Sequence, residues 1–467
     1  MSSRTTEEER FIRLNRERRR LFPRALLVGL LAGCAAVGFH LGMDAGEAWR
    51  ARLQDFAHVC GAPGLAVAAA ASALCVFLAA WLVERFAPEA SGSGVPQVKA
   101  VLMGLHGFRW ARVLAVKFLS GLIGIGGGLA LGREGPTVQM GGAVAEGVAT
   151  TFSSSPDQRR ALIAAGAGAG LAAAFNAPLS GLIFVVEELR GQCSSLEFFA
   201  AAIACLIADT VCRLVLGELP AFRVEISVLP PLSLLPAFVG LGMACGLLGV
   251  AFNRALLAVQ RLRPSRPGPR KALWLGWGGS IGLVGWLAPE LLGGGQGLVG
   301  GMLDGEVSPA LNLMALYFAA RFVLTIGSYA TGAAGGIFSP ILLLGALLGL
   351  GSGMLIQQMA PLLPVEPEVF AVAGMAAFFT GVVRAPLTGV VLMIEMTGNY
   401  ALILPLLAAC FAALVVADRL HDLPIYEALL EREPRRTRSL SDFPVLVRTG
   451  LEGRKSAVSV NIAAYSG

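Results

Sequence analysis

Charged residues are scarce in this chain of 467. Asp, Glu, Lys and Arg make up 15% of it, where soluble domains carry roughly 25%. Histidine is rarer still: His40, His58, His106 and His421 are scattered and form no H-E-x-x-H pair, which removes the basis for zinc chemistry of that kind. The eight cysteines (Cys34, Cys60, Cys75, Cys193, Cys205, Cys212, Cys245 and Cys410) form no C-x-x-C pair, and most lie in apolar runs. They read as small hydrophobes, not as a disulfide framework or a metal cluster. No Ser-His-Asp set is evident. The glycine-rich "GLIGIGGGLALG" lacks the strand, spacing and ribose-binding acid of a dinucleotide finger. The residues argue against an enzyme, and no cofactor or metal is expected.

What the chain has instead is apolar length. It is 55% hydrophobic, with a mean hydropathy of +0.69. Runs such as "GLAVAAAASALCVFLAAWLV" (64–83) match the ~20 residues a membrane-spanning helix requires. The alternation of a membrane barrel is missing. Glycine occurs 59 times, nearly twice its usual ~7% share. Small residues let membrane helices approach closely. The fold class is therefore an all-α polytopic membrane protein. The net charge of +6 sits largely at the two ends, so it reports topology and not a nucleic-acid partner.

The N-terminus, "TTEEERFIRLNRERRRLFPR", reads as a polar amphipathic helix opened by a Thr-x-x-Glu cap. Seven arginines fall between Arg10 and Arg24, directly before an apolar run at about 25–43. This bias places the N-terminus in the cytoplasm. The long charged region and the lack of a small-residue cleavage site argue for a retained helix rather than a signal peptide. Apolar segments continue to about 260, pause at the basic loop "RLRPSRPGPRK" (261–271), and resume from 272. The expected organisation is an N-terminal helix (1–24), a first transmembrane repeat (25–260), the loop (261–271), a second repeat (272–430) and a short cytoplasmic tail (431–467). The tail is too small for a regulatory domain of ordinary size.

The two halves match. "NAPLSGLIFVVEE" (176–188) aligns with "RAPLTGVVLMIEM" (384–396), and both Pro178→Pro386 and Glu187→Glu395 are offset by 208. "GREGP" (132–136) faces "GIFSP" (336–340) at an offset of 204. Several segments are too short to cross the bilayer and are broken by Gly and Pro. Duplicated broken helices in a membrane point to a transport pathway near the midplane.

Four stretches open helices with Gly and Pro: "GSGVP" (92–96), "GREGP" (132–136), "NAPLSG" (176–181) and "GGIFSP" (335–340). A helix N-terminus exposes unpaired N–H groups and carries about half a positive charge from its aligned peptide dipoles. Turned into a dry interior, such an end binds an anion without a full cation. Any one of these stretches is most simply a break that fills a bundle. Four together, in matching positions of two halves, favour an anion path. Glu134 stands at one of these helix starts. An ion pair with Arg133 is disfavoured there, because adjacent residues on a helix start do not face each other.

"GSGVP", "GREGPTVQMGG", "GGIFSP" and "LPIYEAL" (423–429) together resemble the CLC family of chloride channels and proton-coupled chloride transporters, in order from about residue 25 to 430. The resemblance implies a fold of about eighteen tilted, partly broken helices in two inverted-topology repeats. It implies a homodimer with one pathway per subunit in a plasma membrane of prokaryotic type, with chloride and protons as the transported ions. It makes Glu134 the external gate and proton acceptor and Glu188 the internal proton station. Ser93, Tyr426 and the backbone N–H groups of Ile337 and Phe338 become the chloride-binding set. An acid at Glu188 favours an exchanger over a passive channel on the same scaffold. Glu395, the repeat mate of Glu187, is expected to be structural. Gln97 and Lys99 stand where bacterial exchangers carry acids, and Ser339 stands where Ala is common. Lys117 and Arg321 are further charges in apolar surroundings, either raising the potential for anions or pairing with carboxylates.

Overall fold

The computed structural model of the chain describes residues 2–191, 193–217, 230–304, 310–361 and 365–432, with side chains from residue 17 onward. Almost all of the tail expected at 431–467 lies outside the described residues. Among those described there are seventeen α-helices, a π-helical segment (Val185–Arg190) and no strands beyond two isolated bridges. Among the described residues, seven helical spans, from Glu17–Val59 to Tyr400–Arg419, are long and apolar enough to cross a membrane. The N-terminal boundary at residue 24 is not an element boundary. One helix, Ser2–Val59, runs through Pro23 and joins the basic arm to the first span. The basic loop is also shorter than expected, because helix Pro267–Leu287 begins inside it.

Two helix pairs form the centre: Glu134–Thr151 against Pro156–Phe175, and Phe338–Met359 against Pro367–Val383. These helices are buried on nearly every face. Each pair crosses through glycine. A Cβ at Gly141 would stand 2.0 Å from the carbonyl oxygen of Gly166, and one at Gly345 would stand 2.3 Å from that of Gly374. The outer helices expose large apolar side chains such as Leu206, Leu214 and Leu287, as helices facing lipid do.

The duplication extends beyond the sequence match. Helices Pro156–Phe175 and Pro367–Val383 both end on a left-handed residue, Asn176 (φ 57) and Arg384 (φ 70), immediately before Ala-Pro. The next helices, Pro178–Phe184 and Pro386–Thr397, pack against each other and exchange caps. The Glu187 carboxylate accepts the N–H groups of Leu387 (3.0 Å) and Thr388 (2.7 Å). The Glu395 carboxylate accepts those of Leu179 (2.9 Å) and Ser180 (2.7 Å). Each acid satisfies the orphan donors at the start of its mate's helix, where the dipole favours negative charge. The reciprocity is that of a pseudo-twofold axis.

Candidate functional site

Three loops meet at the centre, and their backbones hold one another. Gly132 and Gly336 exchange N–H···O bonds of 2.7 and 2.8 Å. Gly335 donates to the carbonyl of Gly92 at 3.0 Å, and Gly92 to that of Ala333 at 3.2 Å. Irregular backbone at membrane depth survives only where protein satisfies it, and these bonds do so. Glycine is required for the approach. A Cβ on Gly135 would lie 2.6 Å from the Ser93 carbonyl oxygen and 2.9 Å from the Gly336 Cα. Gly94, with φ 93, puts the chain into the left-handed turn that starts helix Val95–Leu102.

The predicted residues fall as follows. Glu134 is the first residue of helix Glu134–Thr151 and is fully buried. Ile337 and Phe338 open helix Phe338–Met359, with the Phe338 ring fixed by Phe175 and Phe379 at centroid distances of 5.1 and 4.5 Å. The first N–H groups of that helix have no intrahelical acceptor. Ser93 and Tyr426 are both fully buried. Their hydroxyls interact with each other, and neither has any other hydrogen-bond partner among the described residues. A buried hydroxyl with unused hydrogen-bonding capacity is costly, and two together suit something that accepts hydrogen bonds.

Glu134 does not pair with its neighbour. The Arg133 guanidinium reaches His40 Nε2 at 3.1 Å instead. The Glu134 carboxylate takes neutral donors: the Ser339 hydroxyl, the Ser339 N–H at 3.4 Å and the Gln296 amide at 3.2 Å. It lines a cavity of about 230 Å³ together with Gln296 and Ser339, the cations Arg50 and Arg133 and the acids Asp44, Glu47 and Glu290. Ser339, which stands where Ala is common, is thus in contact with the carboxylate.

Gln296 was not singled out from the sequence, although a signal was present. "APEASGSGV" (87–95) and "APELLGGGQ" (288–296) match at an offset of 201. The structure repeats accordingly. Each stretch makes one 3₁₀ turn and then starts an eight-residue helix after a left-handed glycine, Gly94 or Gly295. Gln296 is the first residue of the second such helix.

The same offset resolves the two buried cations. Lys117 donates to the carbonyls of Ala90 (3.0 Å) and Gly92 (2.6 Å). Arg321 donates to those of Leu291 (2.7 Å) and Gly293 (3.0 Å). The acceptors are repeat mates, 201 residues apart, and the donors are 204 apart. Both cations anchor the loop in front of a short helix.

On the opposite side of the site, Glu188 is buried at the π-helical segment. Lys99 Nζ donates to its Oε1 at 2.8 Å and also binds the carboxylate of Glu427. Glu427 follows Tyr426, and Lys99 lies on the helix that Ser93 and Gly94 introduce. Lys99 thus joins the carboxylates of Glu188 and Glu427 next to the segment that carries Tyr426. The parts of the site suit a dehydrated anion and a proton.

A membrane protein with this interior is an ion-transport protein, not an enzyme. The chain belongs to the voltage gated chloride channel family, whose profile matches residues 75–418. It is 41% identical over 415 residues to the H(+)/Cl(-) exchange transporter ClcA of Vibrio parahaemolyticus, covering 87% of this chain and 88% of that one. The ClcA of Vibrio cholerae is likewise 41% identical, over 420 residues. Among solved structures, a slow cyanobacterial Cl-/H+ antiporter is 36% identical and superposes with a TM-score of 0.86, covering 90% of this chain and 99% of the other. A eukaryotic CLC transporter, 24% identical with a TM-score of 0.74 over 90% of this chain and 76% of the other, shares the fold.

Proposed function

We propose that this protein exchanges chloride for protons across a bacterial plasma membrane, as a homodimer with one pathway in each subunit. The reading rests above all on one observation: the Ser93 and Tyr426 hydroxyls are fully buried, interact with each other and have no other hydrogen-bond partner among the described residues. Chloride between them accepts both O–H groups and draws on the first N–H groups of the helix at Ile337 and Phe338. No full cation is needed, so the ion is held moderately and can leave.

Glu134 is the outer gate. Its carboxylate occupies a helix start through neutral donors, which serve a halide equally well. When a proton arrives from outside, the neutral acid loses its hold on those donors, the side chain swings away, and an anion takes its place. Glu188 supplies the proton from the cytoplasmic side. Each chloride that moves past Glu134 is thereby linked to a proton on that side chain. Support for exchange over passive conduction comes from the relatives named as exchangers and from the second buried acid.

The test is reconstitution in liposomes with a chloride gradient and a pH readout. Exchange predicts uphill proton movement driven by chloride, and a reversal potential that shifts with the pH gradient. A reversal potential set by chloride alone would identify a channel.

A further inference from the structure

Glu188 presents a problem for any proton that must reach it from water, because its side chain is only 5% exposed. The only cation it meets among the described residues, Lys99, is equally enclosed. Glu187, its neighbour, is not available as a carrier, since both its oxygens are committed to the N–H groups of Leu387 and Thr388. The remaining acid in the group is Glu427. Its side chain is 38% exposed, and it shares the Lys99 ammonium with Glu188. The two carboxylates therefore lie within two hydrogen-bond lengths of each other. Glu427 Oε2 is also enclosed and meets no donor among the described residues, so one oxygen of this acid already points into the protein.

We propose that Glu427 is the entry point of the inner proton path, and that Lys99 holds Glu427 and Glu188 together as one relay. This rests on the exchange reading given above. A proton from water bonds to the Glu427 carboxylate, making it a neutral acid. It then leaves that oxygen for the Glu188 carboxylate, directly or across one water, and Glu427 returns to its anionic form. Lys99 stays an ammonium throughout. With one acid neutral, the group of Lys99, Glu188 and Glu427 carries no net charge, and with both ionised it carries one negative charge. It never carries two, which would be prohibitive in so enclosed a place. The charged or titratable groups facing this relay are Glu187, already capped, and the Tyr426 hydroxyl.

Two further features favour a relay over a scaffold. The repeat mate of Lys99 is Gly300, at the offset of 201 that matches the short helices, so the second half manages the same helix without a cation. Lys99 and Glu427 also sit on the two segments that present Ser93 and Tyr426. The ion pair therefore ties the proton path to the anion site.

The experiment measures proton and chloride fluxes separately in liposomes holding the full chain. Glu427→Gln is expected to slow proton flux by about tenfold or more while chloride flux changes less than about twofold, as for loss of a positioned acid. Lys99→Met should do the same by parting the two acids, and Lys99→Arg should restore the wild-type proton-to-chloride ratio. Retained chloride flux reports that each variant is folded. If Glu427→Gln does not reconstitute, Glu427→Ser answers the same question. A wild-type ratio in Glu427→Gln or in Lys99→Met overturns the proposal. Glu188→Gln separates the two levels: if it keeps proton flux, the inner station of the exchange reading fails. If it loses proton flux while Glu427→Gln keeps it, the relay alone fails.

Discussion

The two halves of the molecule share their scaffolding and differ in their chemistry. Lys117 and Arg321 anchor equivalent loops through equivalent carbonyls. Glu187 and Glu395 cap each other's helices, and Gly94 and Gly295 make the same left-handed turn. At four other positions the match breaks. Ser93 faces Gly294, Lys99 faces Gly300, Glu134 faces Phe338 and Glu188 faces Met396. Every polar group proposed here for ion handling in the first half is apolar or absent in the second. The lesson is that duplicated polar residues hold the fold, while unduplicated ones carry ions.

That division is open to attack, most strongly at the gate. Glu134→Gln should abolish uphill proton movement and leave chloride flux without its gate. Proton pumping by this variant against a gradient would return Glu134 to the scaffold. Next are the paired cations. Lys117→Met and Arg321→Met should each cost about 3 kcal/mol, because charged donors are lost and carbonyls are left unpaired. Thermal unfolding in detergent should show similar losses for both, with an unchanged proton-to-chloride ratio in whatever protein survives. A selective change in coupling in one of them would break the symmetry argument. Smaller still, Glu187→Gln and Glu395→Gln should each destabilise by about 1–2 kcal/mol and by matching amounts. The smallest effect belongs to Ser339→Ala. It removes one neutral donor from the closed gate, worth ~1 kcal/mol, so chloride turnover should rise about fivefold. Turnover equal to that of the wild type would make the Ser339 contact incidental.

Much of this was legible in the residues, and the failures have physical causes. The broken helices announced themselves through Gly and Pro, since few other residues allow such turns, and the offsets of 204 and 208 gave the duplication. Ser93, Glu134 and Tyr426 stood out by motif. Gln296 did not, because its repeat carries glycine where the first half has serine and proline, and the shared "APE" start is short. The partnership of Lys99 with Glu427 joins residues 328 positions apart, and no local pattern encodes it. Lys117 and Arg321 were visible as oddities, but only the backbone carbonyls they meet disclosed their task. Ser339 shows in the sequence only as a hydroxyl where Ala is common, and the carboxylate it touches gives that hydroxyl its weight.

In the proposed exchange an anion rests between the Ser93 and Tyr426 hydroxyls, held by neutral donors. A crystal grown in bromide and measured at the bromine absorption edge tests it most directly. An anomalous peak is expected within hydrogen-bond reach of both hydroxyl oxygens and of the first turn at Ile337 and Phe338. Ordered bromide elsewhere in the protein, with none between those two hydroxyls, would contradict it.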